Sequence, residues 1–294
     1  MILLVGGTGT VGSHVAKALA NRTDVRVLAR SEKSAHLIEQ LGLKAVPGDL
    51  SRPGTLSAVF EGVTRVFLAT PRADQLDNEW NAIEAAERAG VERLVKVSLV
   101  YAGEPPVPYL RRPHDLLEAR LATSPILSTI LRPPAFMSHL LAQLNQITSG
   151  RIVFPAGDVR IAHVDPRDVA DVAVEALVGQ QDLNGPLVVT GPRSLSFDEV
   201  AEDITEVLGQ EVRYIDESAP RWREQAVAGG SPEWLADGLV EMFADYAARG
   251  GVPASGVVDH VLGRPARSVH QFAEELLQPA IASLLPAVSQ ARES

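Results

Sequence analysis

Four glycines within seven residues carry the strongest chemical signal in this chain. The stretch Val5-Gly6-Gly7-Thr8-Gly9-Thr10-Val11-Gly12 fits two spacings at once: Gly7, Gly9 and Gly12 make G-x-G-x-x-G, while Gly6, Gly9 and Gly12 make G-x-x-G-x-x-G. Glycine allows a tight turn and close approach of main chain to a pyrophosphate, and the amino end of a following helix supplies free N–H groups and a favourable dipole. An isolated glycine pattern says little. Here it lies between the apolar run Ile2 to Val5 and the helical spacing of Val11 to Ala20. That setting predicts a dinucleotide held over residues 6 to 12; the alternative is a glycine-rich turn with no ligand.

The end of the second strand bears on which dinucleotide is bound. Where an NAD-preferring fold places an acidic side chain against the ribose 2′-hydroxyl, this sequence has Arg30 and Ser31. A guanidinium and a hydroxyl satisfy a 2′-phosphate and Lys33 adds charge, so NADP(H) is the expected cofactor, with NAD as the alternative. Glu32 opposes this reading, and Arg30 and Lys33 can equally be solvated charges at a helix start. Asp49, followed by Leu50 after the third strand, either accepts from an adenine amino group or closes a turn. Ala69, Thr70 and Pro71 end the fourth strand, at the edge where open parallel sheets bind ligands.

Proton chemistry has fewer candidates. In the segment Tyr109 to Glu118, Pro113 starts a helix, His114 lies in its first turn, and Glu118, four residues on, shares its face. An imidazole relays or donates a proton near neutral pH; the alternative is a surface His–Glu pair. With Ser98, at the end of the fifth strand, His114 and Tyr109 form the candidate catalytic set. Arg132-Pro133-Pro134 ends the sixth strand, where main chain would pass a nicotinamide carboxamide, and Phe136 and Met137 would wall it; otherwise the prolines only stop a strand and Phe136 is core. His139 and His163 face a cleft or are structural. Asp165 and Asp168 read as helix-capping groups, and Trp222, beside Arg221 and Arg223, as a candidate lobe-closing element. No metal site is expected.

These residues need a scaffold, and the first half of the chain provides the pattern for one. Short β-branched runs at 2–5, 25–29, 44–47, 65–69, 94–97 and 127–131 alternate with helical stretches at 11–20, 31–41, 54–61 and 76–89. Such alternation predicts a Rossmann-type, doubly wound parallel sheet of the α/β class, built from right-handed crossovers. After Pro134 the alternation ends. Asp165-Pro166 starts a helix running to about Val178, and residues 187–190 read as a strand that rejoins the sheet. The division is therefore 1–134 with 164–191 for cofactor, and 135–163 with 192–294 as a smaller, mainly helical substrate lobe. In that lobe 136–147, 196–208, 232–248 and 268–277 look helical and 211–215 extended.

Composition narrows the classes. At 294 residues, 46% hydrophobic and 22% charged, the chain is an ordinary globular protein. A net charge of -10 leaves no sequence-wide basic field for nucleic acid. With no cysteine there is no disulfide, thiolate nucleophile or cysteine-bound metal. The opening apolar run is too short for a signal peptide, and the apolar tail 279–288 is short and broken by Pro286, so no membrane span is expected. The expectation is a cytoplasmic monomer or homodimer acting on a small molecule.

The glycine loop, Arg132 to Met137, and His163-Val164-Asp165-Pro166-Arg167-Asp168-Val169-Ala170 resemble the NmrA-like family of atypical short-chain dehydrogenases/reductases; the likeness runs on through Thr190-Gly191-Pro192 and Leu208-Gly209 to Gly263-Arg264-Pro265-Ala266-Arg267. The resemblance implies an NAD(P)-binding Rossmann domain with a small lobe over a substrate cleft. It also implies that Ser98 stands where the family often has serine and that His114 and Glu118 line the nicotinamide pocket. Ordinary short-chain dehydrogenases use Tyr-x-x-x-Lys, but the residues four after Tyr101 and Tyr109 are Pro105 and Pro113. The expected activity is hydride transfer from NADP(H) to a small conjugated acceptor, a quinone or enone. A non-catalytic NAD(P) sensor that binds a protein partner is the alternative, and an epimerase or dehydratase the least favoured.

Overall fold

The computed structural model describes residues 1–21, 24–70 and 74–291; Pro71 lies outside the described residues. Strands β1 (Ile2–Val5), β2 (Val25–Ala29), β3 (Lys44–Pro47), β4 (Arg65–Leu68), β5 (Arg93–Val97), β6 (Leu127–Leu131) and β8 (Gly185–Leu187) form one sheet in the order β3-β2-β1-β4-β5-β6-β8. Every pairing is parallel. The apolar runs are explained by coverage on both faces. On one face, α1 (Gly12–Leu19), α2 (Glu32–Gln40) and α7 (Pro166–Val178) pack Val15, Leu19, Ile38 and Val169 over Leu4, Val27 and Phe67. On the other, α3 (Leu56–Phe60), α4 (Gln75–Arg88) and α5 (Arg112–Ala122) pack Phe60, Ile83 and Leu117 over Leu3, Val66 and Leu94.

Strand order reverses between β1 and β4, so the loops leaving them part and open a crevice at the carboxyl ends of the strands. The glycine loop and Thr70 both stand there. Local sequence sets the helix starts: Ser31 caps α2 reciprocally with Ser34, and Asp165 caps α7 by accepting from the Arg167 amide at 2.7 Å. Asp168 is fully buried, accepts the Arg267 amide at 2.7 Å, and pairs with the Arg264 and Arg267 guanidinium groups. Two segments a hundred residues apart in sequence are thereby tied together.

A third apolar cluster gathers Met137, Ile152, Phe154, Phe197, Trp222, Phe243 and Phe272. Around it lie α6 (Leu144–Ile147), β7 (Arg151–Phe154), α8 (Phe197–Leu208), β9 (Arg213–Asp216), α9 (Ala219–Ala228), α10 (Glu233–Ala248), α12 (Val269–Phe272) and α13 (Gln278–Ala291), whereas α11 (Val257–Leu262) packs Val258 and Val261 against α7 in the first cluster. Strands β7 and β9 pair in parallel as a separate two-stranded sheet. The expected helix over 136–147 is instead a 3-10 stretch, Met137–Gln143, followed by α6. Tertiary bonds compete there: the Met137 amide donates to Val164 O at 2.9 Å, and the Gln143 amide group meets both main-chain groups of Val153. The strand that rejoins the sheet is β8, slightly earlier than 187–190; beyond Leu187 the chain follows the β6 exit, with Val189 N donating to Arg132 O at 3.3 Å. No helix among the described residues is long and apolar enough to cross a membrane.

Candidate active site

The glycine loop is shaped so that only glycine fits at its ends. Gly6 has φ +87°, and a Cβ there would lie 1.7 Å from Ala69 O, because the loop crosses directly over the exit of β4. A Cβ on Gly12 would lie 2.1 Å from Gly6 O. The turn closes through Gly9 N donating to Gly6 O at 3.0 Å, leaving Thr8, Gly9 and Thr10 exposed. Helix α1 has no side-chain cap at Val11 and no acidic residue in its first turn. A glycine-shaped cradle followed by an uncapped, uncontested helix amino end is what a pyrophosphate requires.

Arg30 is exposed just past β2, and Lys33 is exposed in the first turn of α2; among the described residues neither has an ion-pair partner. Both are available to a phosphate. Ser31 is committed to its cap, accepting the Ser34 amide at 3.2 Å. Asp49 behaves as a turn residue: its Oδ1 accepts from the Ser51 hydroxyl at 2.8 Å and amide at 3.0 Å, which holds its pKa below the usual carboxylate range. Leu50 is buried and its carbonyl accepts from Asn81 at 2.8 Å.

Past β4, a buried polar cluster emerges that the sequence alone does not mark. Thr70 donates to Glu79 Oε1 from its amide at 3.2 Å and its hydroxyl at 3.0 Å. Gln75 Nε2 donates to the same oxygen at 3.1 Å, and Lys96 Nζ pairs with Glu79 Oε2. Lys96 also donates to Val97 O at 3.1 Å, while His114 Nδ1 stands 3.5 Å from it and 3.4 Å from Gln75 Nε2. Lys96 and Glu79 are wholly buried. The carboxylate accepts from all three groups, so the nitrogen of Gln75 faces Glu79, and both groups at His114 Nδ1 are donors. His114 Nδ1 is therefore placed to accept.

Ser98 belongs to a neighbouring cluster. It is buried, its amide donates to Leu131 O at 2.6 Å, and its hydroxyl bonds Glu118, which also takes Arg132 Nε at 3.2 Å through each oxygen. His114 and Glu118 share a helix face as expected but serve different partners. Tyr109 stands apart at 52% exposure, its amide donating to Glu241 at 2.8 Å. It borders a cleft of about 390 Å³ with Gln75, Arg112, Pro113 and Trp234. Tyr101 is spent structurally, its hydroxyl donating to Gly251 O at 2.6 Å and its pKa raised by burial.

Pro133 is buried and its carbonyl accepts from Val100 at 3.0 Å. Phe136, half-buried, opens onto a second cavity of about 380 Å³, walled by Phe154, His163, Phe197, Trp222 and Phe243. This aromatic chamber begins where β6 ends, next to the carboxyl edge of the sheet.

A parallel sheet with a glycine-shaped cradle at its switch point defines a dinucleotide-binding protein of Rossmann type. A family of NAD(P)H-binding proteins matches residues 6–179, and the chain belongs to it. It is 34% identical to an NAD(P)H azoreductase of Xenophilus azovorans, over 93% of this chain and 97% of that one. Identity is also 34% to a (4-alkanoyl-5-oxo-2,5-dihydrofuran-3-yl)methyl phosphate reductase of Streptomyces griseus subsp. griseus, over 94% and 97%. Among solved structures, an NADPH-dependent quinone oxidoreductase of Escherichia coli complexed with NADPH superposes with a TM-score of 0.85 at 23% identity, covering 94% of this chain and 100% of that one.

Proposed function

We propose that this NAD(P)H-dependent oxidoreductase reduces a small, flat, conjugated acceptor, a quinone or an enone, seated in the aromatic chamber beyond Phe136. The observation that carries the reading is the juxtaposition at one sheet edge of a pyrophosphate cradle and a walled apolar cavity. Bound NAD(P)H supplies a hydride, which with one proton from solvent completes the two-electron reduction. Gly6 to Gly12 hold the pyrophosphate, with Thr8, Thr10 and Val11 presenting main-chain amides. Arg30 and Lys33 favour the 2′-phosphate, and so NADP(H); Ser31 supports them by fixing the start of α2. Asp49 and Leu50 border the adenine side, while Ala69 and Thr70 border the crevice.

Ser98, Pro133 and Phe136 line the nicotinamide end. His114, its Nδ1 turned toward Lys96 and Gln75, is the group able to relay a proton there; the exposed Tyr109 sits at the rim of the outer cleft. The sequence spacing argues against a Tyr-x-x-x-Lys pair and so against epimerisation, since Pro105 and Pro113 stand four after Tyr101 and Tyr109, and the pairing of Lys96 with Glu79 supports this. Residues 1–134 with 164–191 act as the cofactor domain and 135–163 with 192–294 as the substrate lobe, supported by the third apolar cluster, which draws mainly on the second set and also on Leu99, Val100 and Leu110, while α11 of the second set packs on α7. The excess of acidic charge supports a small-molecule role over nucleic acid, in a cytoplasmic monomer or homodimer. The test is NADPH consumption with a panel of quinones and enones. Acceptor-dependent turnover is expected; tight NADPH binding with no turnover across the panel would favour the sensor alternative.

A further inference from the structure

The walls of the aromatic chamber leave polar atoms unsatisfied. Trp222 Nε1 donates to Val153 O at 3.0 Å and the Gln143 amide is taken by Val153, so those polar groups are spent. His163 is different. It is 7% exposed, and neither ring nitrogen makes a hydrogen bond of full geometry among the described residues, although the Ile161 main chain lies beside the ring. Gln146 Oε1, in the same chamber, is also buried without a partner. Around them stand Phe136, Phe154, Phe197 and Phe243, with the Phe197 ring 5.1 Å from His163 and edge-on.

A buried polar group without a partner costs stability, so its retention needs a reason. Burial lowers the pKa of His163 to about 4, so at neutral pH the ring is uncharged, with one N–H and one lone pair. Such a ring has no charge to offer a carboxylate or sulfonate. It can satisfy a carbonyl oxygen.

We propose that His163 is the polar anchor of the acceptor site, its ring N–H donating to a carbonyl oxygen of a flat, uncharged, conjugated ligand. This rests on the chamber being the acceptor site. When hydride adds to the conjugated system, an electron pair moves onto the carbonyl oxygen and a solvent proton completes the product. His163 keeps its own proton and stabilises the oxygen as its charge develops.

The test compares naphthoquinone with naphthalene, which has the same fused-ring skeleton and no carbonyl, by calorimetry on NADP⁺-loaded wild type and His163→Leu, where no turnover occurs. Wild type is expected to bind the quinone about tenfold more tightly than His163→Leu does, while naphthalene binds both alike. Unliganded His163→Leu should also melt a few degrees above wild type, because an unsatisfied polar group is gone. His163→Gln, which keeps an amide donor, should recover part of the quinone affinity. Equal quinone affinity in wild type and His163→Leu overturns the anchor while leaving the chamber as acceptor site. A lower melting temperature or failure to fold of His163→Leu marks a structural histidine and also overturns it. If wild type binds neither compound, the chamber is not the acceptor site and both readings fall.

Discussion

Replacing Lys96 by methionine would remove an ammonium group that the fold has sealed from water together with its counter-ion. Both Lys96 and Glu79 are wholly buried. Methionine fills a similar volume, so the main effect is electrostatic. The Glu79 carboxylate would keep only neutral donors: the Thr70 amide at 3.2 Å, the Thr70 hydroxyl at 3.0 Å and the Gln75 amide at 3.1 Å. Breaking one side of a buried pair costs about 3–5 kcal/mol, because the remaining charge stays in a low-dielectric site. Three surviving hydrogen bonds offset part of that, which places the expectation at the lower end, about 3 kcal/mol. Urea unfolding reads this as a lowered midpoint with an unchanged slope.

The double variant Lys96→Met/Glu79→Gln buries no charge and should regain at least half of the loss. Thr70 and His114 both lean on the pair, so acceptor-dependent NADPH oxidation should fall as well. A Lys96→Met protein as stable as wild type, or a double variant weaker than the single one, would refute the reasoning.

Arg30→Ala should weaken NADPH binding by about 10- to 100-fold, the worth of a charge-assisted contact, and leave NADH unaffected in calorimetric titrations. Gly12→Ala pushes a methyl into the Gly6 carbonyl, 2.1 Å away, and is expected to abolish dinucleotide binding in the same titrations while the far-ultraviolet circular dichroism stays near that of wild type. His163 has a pKa near 4 when folded against 6.5 when free, so the unfolded chain takes up its proton first. Wild-type stability should therefore be unaffected by this group above about pH 6.5 and fall as pH drops toward 4, by up to about 3 kcal/mol. Urea midpoints across that range should show a shallower decline for His163→Leu.

The cofactor half of the fold could be read because its signals are local. A strand, a glycine loop and a helix are contiguous at 2–19, and six of the seven strands of the main sheet announce themselves as apolar runs. Ser31 was legible as a residue at the second strand's end, but its hydroxyl goes to a reciprocal helix cap. Asp49 carried two readings, and the structure shows the turn. Strand β7 was missed because Arg151–Phe154 is only four residues long and gains its partner, β9, some sixty residues later. The Lys96–Glu79 pair was invisible for a similar reason: one partner hides in an apolar strand and the other in an amphipathic helix, and only strand–helix packing makes them neighbours. His163 stood out only as a lone histidine. Its setting is a property of the chamber, to which residues of 135–146, 153–154, 163, 197 and 222–243 contribute.

The central claim is that a dinucleotide seated over residues 6 to 12 gives up hydride to a conjugated acceptor. Single-turnover mixing of NADPH-loaded protein with a quinone tests it most directly, run once with ordinary NADPH and once with NADPH deuterated at the transferring carbon. The account predicts a loss of nicotinamide absorbance that depends on the quinone and is slowed a few-fold by deuterium. NADPH that stays bound and reduced at every quinone concentration would contradict it.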